Sequence, residues 1–569
     1  MAAILGISAH YHDAAAALVV DGEVVAAIQE ERLSRIKNDP ALPRRAARRC
    51  LTLGGIPAAA LDAVVFYESP YARLERVLVY GLRHFPRSLR QLPRALEVNL
   101  SRKLWVLDLI ASALDIPRTK VRAVSHHHSH AASAFFPSPF PEAAILTVDG
   151  AGEDTTTAIW HGQDDRLTLK SSLPFPHSLG LLYAGLTGYL GFPVHEGEHR
   201  VMGLAAWGQP TRQAEFEQLI HPEPGGAFSL STGFFSDMLD PQCGFGPKLE
   251  TLLGPARRLG KPWNLRDPAD QAYADIAATL QRTTEEALLR LAVQARAVTG
   301  ARSLCLAGGV ALNCVANARI AAEAGFERVF VQPAAGDAGG ALGAALLGAI
   351  AAGDGRCTPM RHARLGDRCD PGEAAALAEA LGMTTRRVTD PSQEAAARIA
   401  AGQLLGFVSG RAEWGPRALG QRSILADPRH AATADALNRV VKQREPFRPF
   451  APAVLSKRTE DFFIGAPDEM TPFMTTTRPV RPEAELGAVR HVDGSARLQT
   501  VTPEGSPGLA AVLEALDETA GLPVVLNTSL NGPGEPIVSS AADAIRFLAA
   551  RPIDAMLIED LLIQRNQNP

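Results

Sequence analysis

The sequence predicts an α/β fold in which a duplicated N-terminal domain is followed by a second α/β domain. Three observations indicate this class. The chain has 569 residues, too many for one hydrophobic core. A strand-loop-hairpin unit occurs twice. A polar stretch rich in Gly and Pro then separates this region from a C-terminal third with its own alternation of helices and strands. We therefore expect domains at residues 1–355 and 370–569.

The first copy of the repeated unit lies at the N-terminus. A short apolar strand over residues 4–7 leads into a polar loop that contains His12, and two further strands are expected over residues 16–20 and 23–28. Asp21-Gly22 lies between them, and Asp-Gly between two apolar runs is typical of a hairpin turn. We expect an antiparallel hairpin directly after the polar loop.

The second copy repeats this order. An apolar strand over residues 145–148 ends at Asp149, a second strand is expected over residues 155–160, and a turn is expected at His161-Gly162 before a third strand. Each copy carries a polar residue in its first turn. The duplication therefore predicts an active cleft between the two halves of the first domain.

His126 and His130 stand four residues apart at the start of an alanine-rich, helix-favouring run. Side chains at this spacing project from one helix face, about 6 Å apart. Two neutral imidazoles so placed can bind one divalent cation if a carboxylate completes the coordination. Asp149 and Asp337 are the candidates, because each follows an apolar strand and lies among glycines in a loop that would expose it. A polar helix face with spare histidines is the alternative interpretation.

A Gly-Gly turn follows the apolar strand expected over residues 303–306 and precedes a helix. Gly308 and Gly309 let a ligand approach the backbone, and the helix N-terminus offers free N–H groups to an anion or nucleotide. A tight turn without a ligand is the alternative. The next strand leads to Asp337, so two successive loops would point into one cleft.

The C-terminal third combines a basic loop with a polar strand end. Lys442, Arg444 and Arg448 lie within seven residues. Lys442 and Arg444 face the same way if the segment is extended, and such a pair can bind a phosphate. A short apolar strand leads to Ser529 and Asn531, whose hydroxyl and amide groups can hydrogen-bond an oxyanion or amide. A surface turn is the alternative for the basic loop.

Composition restricts the partners and the compartment. The formal net charge is −4, so the chain has no basic footprint for nucleic acid. The six cysteines include no C-x-x-C pair, and neither a zinc ribbon nor a disulfide framework is indicated. The sequence shows neither a signal peptide nor a bilayer-spanning apolar stretch. We expect a cytoplasmic protein without nucleic-acid or membrane partners. Its oligomeric state is left open by the sequence, and a homodimer is compatible with it.

The motifs together resemble the NodU/CmcH-type O-carbamoyltransferase family, which includes nodulation and antibiotic-tailoring enzymes, over nearly the whole chain. They are Tyr11-His12-Asp13-Ala14, His126 to Phe135, Asp149-Gly150, Val201 to Ala205, Gly308 to Asn313, Asp337 to Gly343, Gly415 to Gly420 and Asn527 to Asn531. The resemblance implies an actin/sugar-kinase-like N-terminal domain, similar to the universal tRNA threonylcarbamoyl transferase. It also implies a YrdC-like C-terminal domain, whose K-x-R and S-x-N signature matches Lys442-Gln443-Arg444 and Ser529-Leu530-Asn531.

The resemblance implies a first reaction in the C-terminal domain, where carbamoyl phosphate and ATP, with Mg²⁺, give carbamoyladenylate and pyrophosphate. Cationic side chains would stabilise the charge that develops on the transferring phosphoryl group, and Lys442 and Arg417 are expected to be catalytic. The residues expected to bind carbamoyl phosphate and ATP are Arg417, Lys442, Arg444, Arg448, Asn527, Ser529 and Asn531.

The resemblance implies a second reaction in the N-terminal domain, where the carbamoyl group passes to a hydroxyl of a small-molecule acceptor, a sugar or another secondary metabolite such as an antibiotic. It favours Fe²⁺ as the metal, with Mn²⁺ and Zn²⁺ as alternatives for a mixed nitrogen and carboxylate site. The implied metal ligands are His126, His130, Asp149 and Asp337, and the implied nucleotide-binding residues are Gly308, Gly309 and Asn313.

The acceptor hydroxyl needs a base, and His12 is the residue we expect to serve. A histidine with a pKa near neutrality suits this task. A hydrogen-bonded loop histidine without catalytic function is the alternative.

Three other functions compete with carbamoyl transfer. A metal-dependent small-molecule kinase of the actin/sugar-kinase fold would leave the Lys442 and Ser529 clusters unexplained. A threonylcarbamoyl transferase acting on tRNA is disfavoured by the acidic balance and by the fusion of two domains. A non-catalytic nucleotide-binding scaffold would need neither His12 nor the histidine pair.

Overall fold

The computed structural model describes residues 2–236 and 244–566 and divides into two compact units. The N-terminal unit comprises Met1–Val25 and Pro40–Pro359, and the C-terminal unit comprises Ala26–Asp39 and Met360–Pro569. A short segment near the start of the chain is thus part of the C-terminal unit. In the described ranges, every helix is too short or too polar to cross a membrane.

Two five-stranded sheets form the centre of the N-terminal unit. The strands in this part of the chain are β1 (Ala3–Ser8), β2 (Ala15–Val20), β3 (Glu23–Gln29), β4 (Ala63–Phe66), β5 (Val121–Ala123), β6 (Glu142–Val148), β7 (Thr155–Gln163), β8 (Arg166–Pro174), β9 (Ile220–Pro222), β10 (Phe228–Leu230), β11 (Ser303–Ala307) and β12 (Arg328–Val331). The sheet orders are β3-β2-β1-β4-β5 and β12-β11-β6-β7-β8.

The two sheets have the same topology. In each, the first strand pairs antiparallel with the second and parallel with the fourth, and the fifth strand is parallel to the fourth. The duplication predicted from the sequence is therefore confirmed. The hairpin at Asp21-Gly22 is also confirmed, with φ angles of 52° and 79°.

The turn predicted at His161-Gly162 is wrong, because β7 continues through both residues to Gln163. A Cβ at Gly162 would lie 2.8 Å from ring atoms of Phe135. Glycine is needed here for close packing between the strand and a neighbouring helix, not for reversal of the chain. The sequence pattern does not separate these two uses of glycine.

Helices cover the sheets of the N-terminal unit. In chain order, the helices up to residue 359 are α1 (Glu31–Ser34), α2 (Arg44–Gly54), α3 (Pro70–Arg83), α4 (Leu92–Val98), α5 (Val106–Leu114), α6 (His126–Phe135), α7 (Leu179–Tyr189), α8 (Glu198–Ala205), α9 (Gln213–Phe216), α10 (Pro247–Leu253), α11 (Pro268–Thr299), α12 (Cys314–Glu323) and α13 (Asp337–Ala351). Of these, α1 lies in the C-terminal unit.

Helix α13 is largely buried and packs very close to its neighbours. A Cβ at Gly343 would lie 1.8 Å from the carbonyl oxygen of Ser129 in α6. A Cβ at Gly6 in β1 would lie 1.9 Å from the carbonyl oxygen of Ala341. Only glycine permits these approaches, which bring the first turn of α13 towards α6.

The C-terminal unit contains an eight-stranded mixed sheet in the order β14-β24-β23-β15-β17-β22-β18-β21. Its strands are β13 (Arg364–Arg368), β14 (Thr384–Arg387), β15 (Leu405–Val408), β16 (Arg411–Glu413), β17 (Arg422–Ala426), β18 (Ala451–Leu455), β19 (Arg478–Pro479), β20 (Ser495–Ala496), β21 (Gln499–Val501), β22 (Val524–Ser529), β23 (Ala555–Ile558) and β24 (Leu561–Gln564). Its helices are α14 (Pro371–Ala380), α15 (Pro391–Ala400), α16 (Ala431–Ala436), α17 (Thr459–Phe462), α18 (Pro507–Ala520) and α19 (Ala541–Ala550). The predicted α/β class is confirmed in both units, and the N-terminal unit has the predicted duplication.

The N-terminal segment of the C-terminal unit is held by two arginines. Arg32 is buried and donates a 2.8 Å hydrogen bond to the carbonyl oxygen of Gly415. Arg35 donates to the carbonyl oxygens of Ile537 at 2.7 Å and Pro536 at 2.9 Å. Its Nε also lies 3.3 Å from Asp543 Oδ1. These charge-assisted bonds fix the loops after β16 and β22.

We expect Arg35→Ala to loosen the loop before α19. The side chain is 24% exposed, so we expect a loss of about 1–2 kcal/mol of local stability, which is about 5- to 30-fold faster amide exchange over residues 536–543. Hydrogen–deuterium exchange with mass spectrometry measures this directly. Arg48→Ala, at an exposed position of α2, is the control. Unchanged exchange in Arg35→Ala would show that these bonds do not hold the loop.

Candidate functional site

Helix α6 holds His126 and His130 on one buried face, as their spacing predicts. Glu153 closes the N-terminus of this helix, because its carboxylate accepts from the backbone N–H of His126 at 2.9 and 3.1 Å. A carboxylate is favoured here by the free N–H groups and by the helix dipole. The start of α6 is therefore fixed by an acidic residue from the loop that follows β6.

Two aspartates meet these histidines. Asp149 follows β6 directly, and its Oδ2 lies 2.8 Å from His126 Nε2 and 3.4 Å from His130 Nε2. Asp337 Oδ1 lies 3.8 and 3.6 Å from the same two nitrogens, which are 3.1 Å apart. Both carboxylates are buried, so the prediction of loops that expose them is wrong. Asp337 is in fact the first residue of α13, whose close packing brings it inward.

The four side chains fit one divalent cation. Their ligand atoms all lie within 4.8 Å of one another. Atoms that bind one ion at about 2.0–2.2 Å are at most about 4.4 Å apart, so only a small contraction is needed. Asp337 Oδ1 is buried and has no hydrogen-bond partner among the described residues, which leaves its lone pairs for such an ion. The arrangement supports the predicted ligand set.

The carboxylates hold protons on the histidines. Burial lowers the pKa of His130, but its close contacts with the carboxylates of Asp149 and Asp337 and their charges outweigh it and raise the pKa to about 9. Burial and the charge of His130 lower the pKa of His126. Asp149 and Asp337 raise it by more, so the pKa lies above its ordinary value. The pKa of Asp149 is well below its usual range, because these histidines outweigh its burial. A bound cation would have to displace these protons.

The other two histidines of the cluster do not face the aspartates. His127 Nε2 donates to the carbonyl oxygen of Thr155 at 3.0 Å, so its Nδ1 accepts from the Thr147 hydroxyl at 2.8 Å. Burial, then the charges of His126 and His130, keep the pKa of His127 well below its ordinary value. His128 stacks on Trp160 with ring centroids 5.3 Å apart. Both therefore have structural roles that the spacing alone did not specify.

The predicted Gly-Gly turn lies against the same aspartate. Gly308 has a φ of 92°, and a Cβ there would lie 2.2 Å from the carbonyl oxygen of Val148. Gly309 donates its N–H to Asp149 Oδ1 at 3.0 Å. Asn313 caps α12 by accepting from Ala316 N at 3.1 Å, and it also exchanges hydrogen bonds with Gln281. The turn thus positions Asp149, and the Asn313 side chain is engaged in its own helix cap.

His12 lies in the polar loop after β1, about a quarter exposed. Its Nδ1 is 3.1 Å from Asp13 Oδ2, and its ring is 4.5 Å from that of Tyr11 between centroids. Burial lowers its pKa, but the hydrogen bond to Asp13 and the charges of Asp337, Asp13 and Asp149 raise it to about 10. This value differs from the near-neutral one expected from the sequence, because the aspartates that face α6 also act on His12.

Lys442, Ser529 and Asn531 meet in the C-terminal unit. The buried Nζ of Lys442 donates to the backbone oxygen of Ser529, and lies 3.3 Å from Ser529 Oγ and 2.8 Å from Asn531 Oδ1. Ser529 Oγ donates to Asn531 Oδ1 at 2.6 Å. Burial, then the charges of Arg444 and Arg448, keep the pKa of Lys442 well below its ordinary value. An anion placed here would restore the ammonium form.

The basic loop is not extended, contrary to the condition on which its sequence interpretation rested. Residues Leu437–Lys442 form a π-helical turn, and Gln443 has a φ of 45°. Arg444 donates to Asn438 Oδ1 at 2.5 Å and stacks on Phe450. The π-helical turn includes Lys442 and ends before Arg444, so the two cations do not alternate along one extended segment.

Asn527 and Arg417 occupy neighbouring positions of the same unit. Asn527 is buried in β22 and donates to the carbonyl oxygen of Ala418 at 3.2 Å and to Gln499 Oε1 at 2.7 Å. Arg417 precedes Ala418 in the loop between β16 and β17 and is half-buried. Arg448, also half-buried, lies 3.8 Å from Glu445. The structure thus joins Asn527 to the Arg417 loop through one hydrogen bond.

Sequence reasoning missed several residues that build these sites. Tyr67 donates its hydroxyl to Asp337 Oδ2 at 3.3 Å, and Glu153 caps α6. Tyr67 directly follows β4, so a search of every strand end for polar side chains would have found it. Arg32 and Arg35 carried no such signal, because their partners are hundreds of residues away in the sequence.

Comparison with known proteins places the chain in a class and a family. Residues 3–346 match the family described as Carbamoyltransferase N-terminus, and residues 396–565 match Carbamoyltransferase C-terminus. These paired matches define a transferase. The chain belongs to the carbamoyltransferase family, and the resemblance identified from its motifs is confirmed.

The chain is similar to several individual proteins. Nodulation protein NolNO of Sinorhizobium fredii is 38% identical over 572 residues, which cover 97% of this chain and 79% of that protein. An uncharacterised Synechocystis protein is 39% identical over 610 residues, 100% of this chain and 98% of its own. The 3'-hydroxymethylcephem-O-carbamoyltransferase of Amycolatopsis lactamdurans is 36% identical over 272 residues, 46% of this chain and 49% of that protein. Component A of Acidaminococcus fermentans (R)-2-hydroxyglutaryl-CoA dehydratase aligns with 61% of this chain and 97% of its own, at 15% identity and a TM-score of 0.34.

We expect His130→Ala and Asp337→Asn to lose divalent-cation binding. Each substitution removes one of four converging ligand atoms. Loss of a residue that only hydrogen-bonds a metal ligand lowers metal affinity by roughly 10- to 100-fold, so loss of a ligand itself should lower it further. Titration with Mn²⁺ and metal analysis after anaerobic loading with Fe²⁺ measure the effect. His128→Ala, which alters the same helix away from the aspartates, should keep wild-type affinity. Equal binding by all variants would contradict the site.

We expect cation affinity to rise with pH. The pKa of His130 is raised to about 9, so its ring is protonated at neutral pH, and that proton must leave before Nε2 binds a metal. Apparent affinity for Mn²⁺ should increase about tenfold per pH unit for each displaced proton between about pH 6 and 8, and level off above about pH 9. Calorimetry in two buffers of different ionisation enthalpy counts the released protons. An affinity independent of pH would contradict this assignment.

Proposed function

We propose that the protein is an ATP-dependent O-carbamoyltransferase. Carbamoyladenylate forms in the C-terminal unit, and the carbamoyl group passes to a hydroxyl of a small-molecule acceptor in the N-terminal unit. The observation that carries this proposal is the presence of two built sites, one in each unit: a buried lysine among oxygens and four converging metal-ligand side chains. The cephem relative, named an O-carbamoyltransferase of a hydroxymethyl group, supports a hydroxyl acceptor.

The first reaction needs an anion site and strong positive charge. Carbamoyl phosphate and water give carbamate and phosphate; a carbamate oxygen then attacks the α-phosphorus of ATP, and pyrophosphate leaves. Lys442 would bind the substrate phosphate, with Arg444, Arg448 and Arg417 contributing charge. Ser529, Asn531 and Asn527 would orient the substrates through short hydrogen bonds. Charge develops on the transferring group, and Mg²⁺ on the triphosphate and fixed cations both lower its energy.

The second reaction transfers the carbamoyl group. The acceptor oxygen attacks the carbamoyl carbon, its proton passes to His12, and AMP leaves. Asp13 accepts from His12 Nδ1, which leaves Nε2 to take the proton. His12 must be neutral to do so, and this requires that the charges of Asp149 and Asp337, which raise its pKa, be compensated.

The four converging side chains would hold the metal in this unit. A divalent cation there would act as a Lewis acid towards a carbonyl or phosphate oxygen, and the mixed nitrogen and carboxylate ligands suit Fe²⁺, with Mn²⁺ and Zn²⁺ as alternatives. The turn at Gly308 and Gly309, with Asn313, would receive the nucleotide. Its glycines allow close approach of a ligand, and Gly309 already ties the turn to Asp149.

A small-molecule kinase is the second candidate, because the N-terminal unit has the duplicated sheets of the actin/sugar-kinase fold. Such an enzyme would transfer the γ-phosphoryl group of ATP and release ADP. It would have no use for Lys442, Ser529 and Asn531. The released nucleotide therefore separates the two candidates.

The test follows the first reaction without acceptor. Purified protein with carbamoyl phosphate, ATP and Mg²⁺ should form carbamoyladenylate and pyrophosphate, detected by mass spectrometry. Lys442→Ala should lower the rate by about 100- to 1,000-fold, the effect of removing one group that stabilises developing charge. The exposed Lys457→Ala is the matched control, and His12→Asn should keep the wild-type rate because His12 serves only the transfer.

Two outcomes would contradict the proposal. ADP without carbamoyladenylate would indicate the kinase. Loss of carbamoyladenylate formation in His12→Asn, with a normal rate in Lys442→Ala, would show that activation occurs in the N-terminal unit.

A further inference from the structure

We propose that Arg73, Arg76 and Lys103 form an anion-binding pocket beside the four metal-ligand side chains of the N-terminal unit. The pocket would take a phosphate or a carboxylate group. The inference extends the proposed function. It rests on that function only for the source of the anion, which is either the acceptor or the nucleotide. The pocket itself is defined by contacts within the N-terminal unit.

Three consecutive residues tie this pocket to the metal ligands. Tyr67 donates to Asp337 Oδ2 at 3.3 Å. Glu68 accepts two hydrogen bonds of 2.6 Å from Arg73 Nη1. Ser69, the N-cap of α3, donates its N–H at 2.7 Å to Glu153, the carboxylate that also caps α6. Helix α3 therefore starts directly beside the candidate metal centre.

The cations come from two helical segments. Arg73 and Arg76 are three residues apart on α3 and so share one face. Arg76 donates to the carbonyl oxygen of Gly152, in the loop after Asp149, and its guanidinium lies 4.9 Å from the ring centroid of Phe175. Lys103 ends the π-helical turn Asn99–Lys103 and is half-buried. Arg73 and Arg76 are thus held on the side of the Asp149 loop that α3 faces.

Positive charge exceeds negative charge in this pocket. Within residues 2–236 and 244–566, Glu68 is the only carboxylate that forms an ion pair with any of the three cations. Glu153 is engaged by backbone N–H groups, and burial, then the charge of Glu68, raises its pKa. Burial of unpaired cations is unfavourable unless an anion compensates them. Burial and the charge of Arg73 accordingly keep the pKa of Lys103 well below its ordinary value.

Donors remain available in the pocket. The Nε atoms of Arg73 and Arg76 are buried and have no acceptor among the residues that the structure describes. The same holds for Nε2 of His10, in the loop that carries His12. Burial and the charges of Lys103, Arg102 and Arg73 lower the pKa of His10 to about 4, so the cations act on this loop. Guanidinium groups with free N–H donors suit a planar or tetrahedral oxyanion.

The test uses Lys103 as a local probe in the full-length protein. Its lowered pKa leaves more free amine at neutral pH than an ordinary lysine has, so trace acetic anhydride should acetylate it faster than the exposed Lys170. Inorganic phosphate at four times its Kd should slow acetylation of Lys103 about fivefold, by mass action, and leave Lys170 unchanged. Peptide mass spectrometry reads both sites.

Variants and a second ligand sharpen the result. Arg76→Gln should abolish the protection, whereas Arg83→Gln, at the exposed end of α3, should retain it. If AMP also protects Lys103 and competes with phosphate, the anion is the phosphate of the nucleotide. If phosphate protects equally with saturating AMP present, the pocket serves an anionic group of the acceptor. Either result supports the pocket.

Two results would overturn the proposal. One is acetylation of wild-type Lys103 that neither phosphate nor acetate slows at roughly 10 mM, ten times a Kd of about 1 mM. The other is protection that persists unchanged in Arg76→Gln. No ATP is turned over in this experiment, so its failure is distinct from failure of carbamoyladenylate formation.

Discussion

The concentration of charge in one small buried volume sets the conditions for the rest of the N-terminal unit. Two imidazole nitrogens and two carboxylate oxygens come from α6, the end of β6 and the first turn of α13, and lie within 4.8 Å of one another. The glycine at 343 lets α13 approach α6, Glu153 fixes where α6 begins, and Gly309 and Tyr67 orient the two aspartates. Each of these features is explained by the need to hold like and unlike charges together away from water.

The candidate sites of the two units suit ions of opposite charge. In the N-terminal unit, carboxylates impose protonation on neighbouring histidines, so the site is suited to a cation. In the C-terminal unit, the buried amino group of Lys442 faces oxygens, and burial and neighbouring cations lower its pKa, so the site is suited to an anion. A reaction that first handles phosphates and then moves an uncharged carbamoyl group would use both kinds of site in that order.

Local spacing predicted the site where one element supplies the residues. His126 and His130 share a face because four residues make about one helical turn, and Ser529 and Asn531 alternate to the same side, as expected near a strand end. Inference failed where a remote neighbour decides the geometry. Gly162 lies within a strand, where Phe135 packs against it, and Lys442 ends a π-helical turn instead of lying in an extended segment. The fold was predictable from a repeated pattern, whereas Tyr67, Glu153, Arg32 and Arg35 depend on contacts that no short window contains.

The membership of Ala26–Asp39 in the C-terminal unit bears on how the chain is made. Arg35 leaves the ribosome 502 residues before the carbonyl group of Ile537 that it binds. At about 5–20 residues per second, this delay is about 25–100 s. During synthesis, residues 26–39 therefore remain without these partners until the rest of the N-terminal unit has been translated. The two units therefore cannot be completed strictly in the order of translation, and a chain cut between them would leave this segment on the wrong fragment.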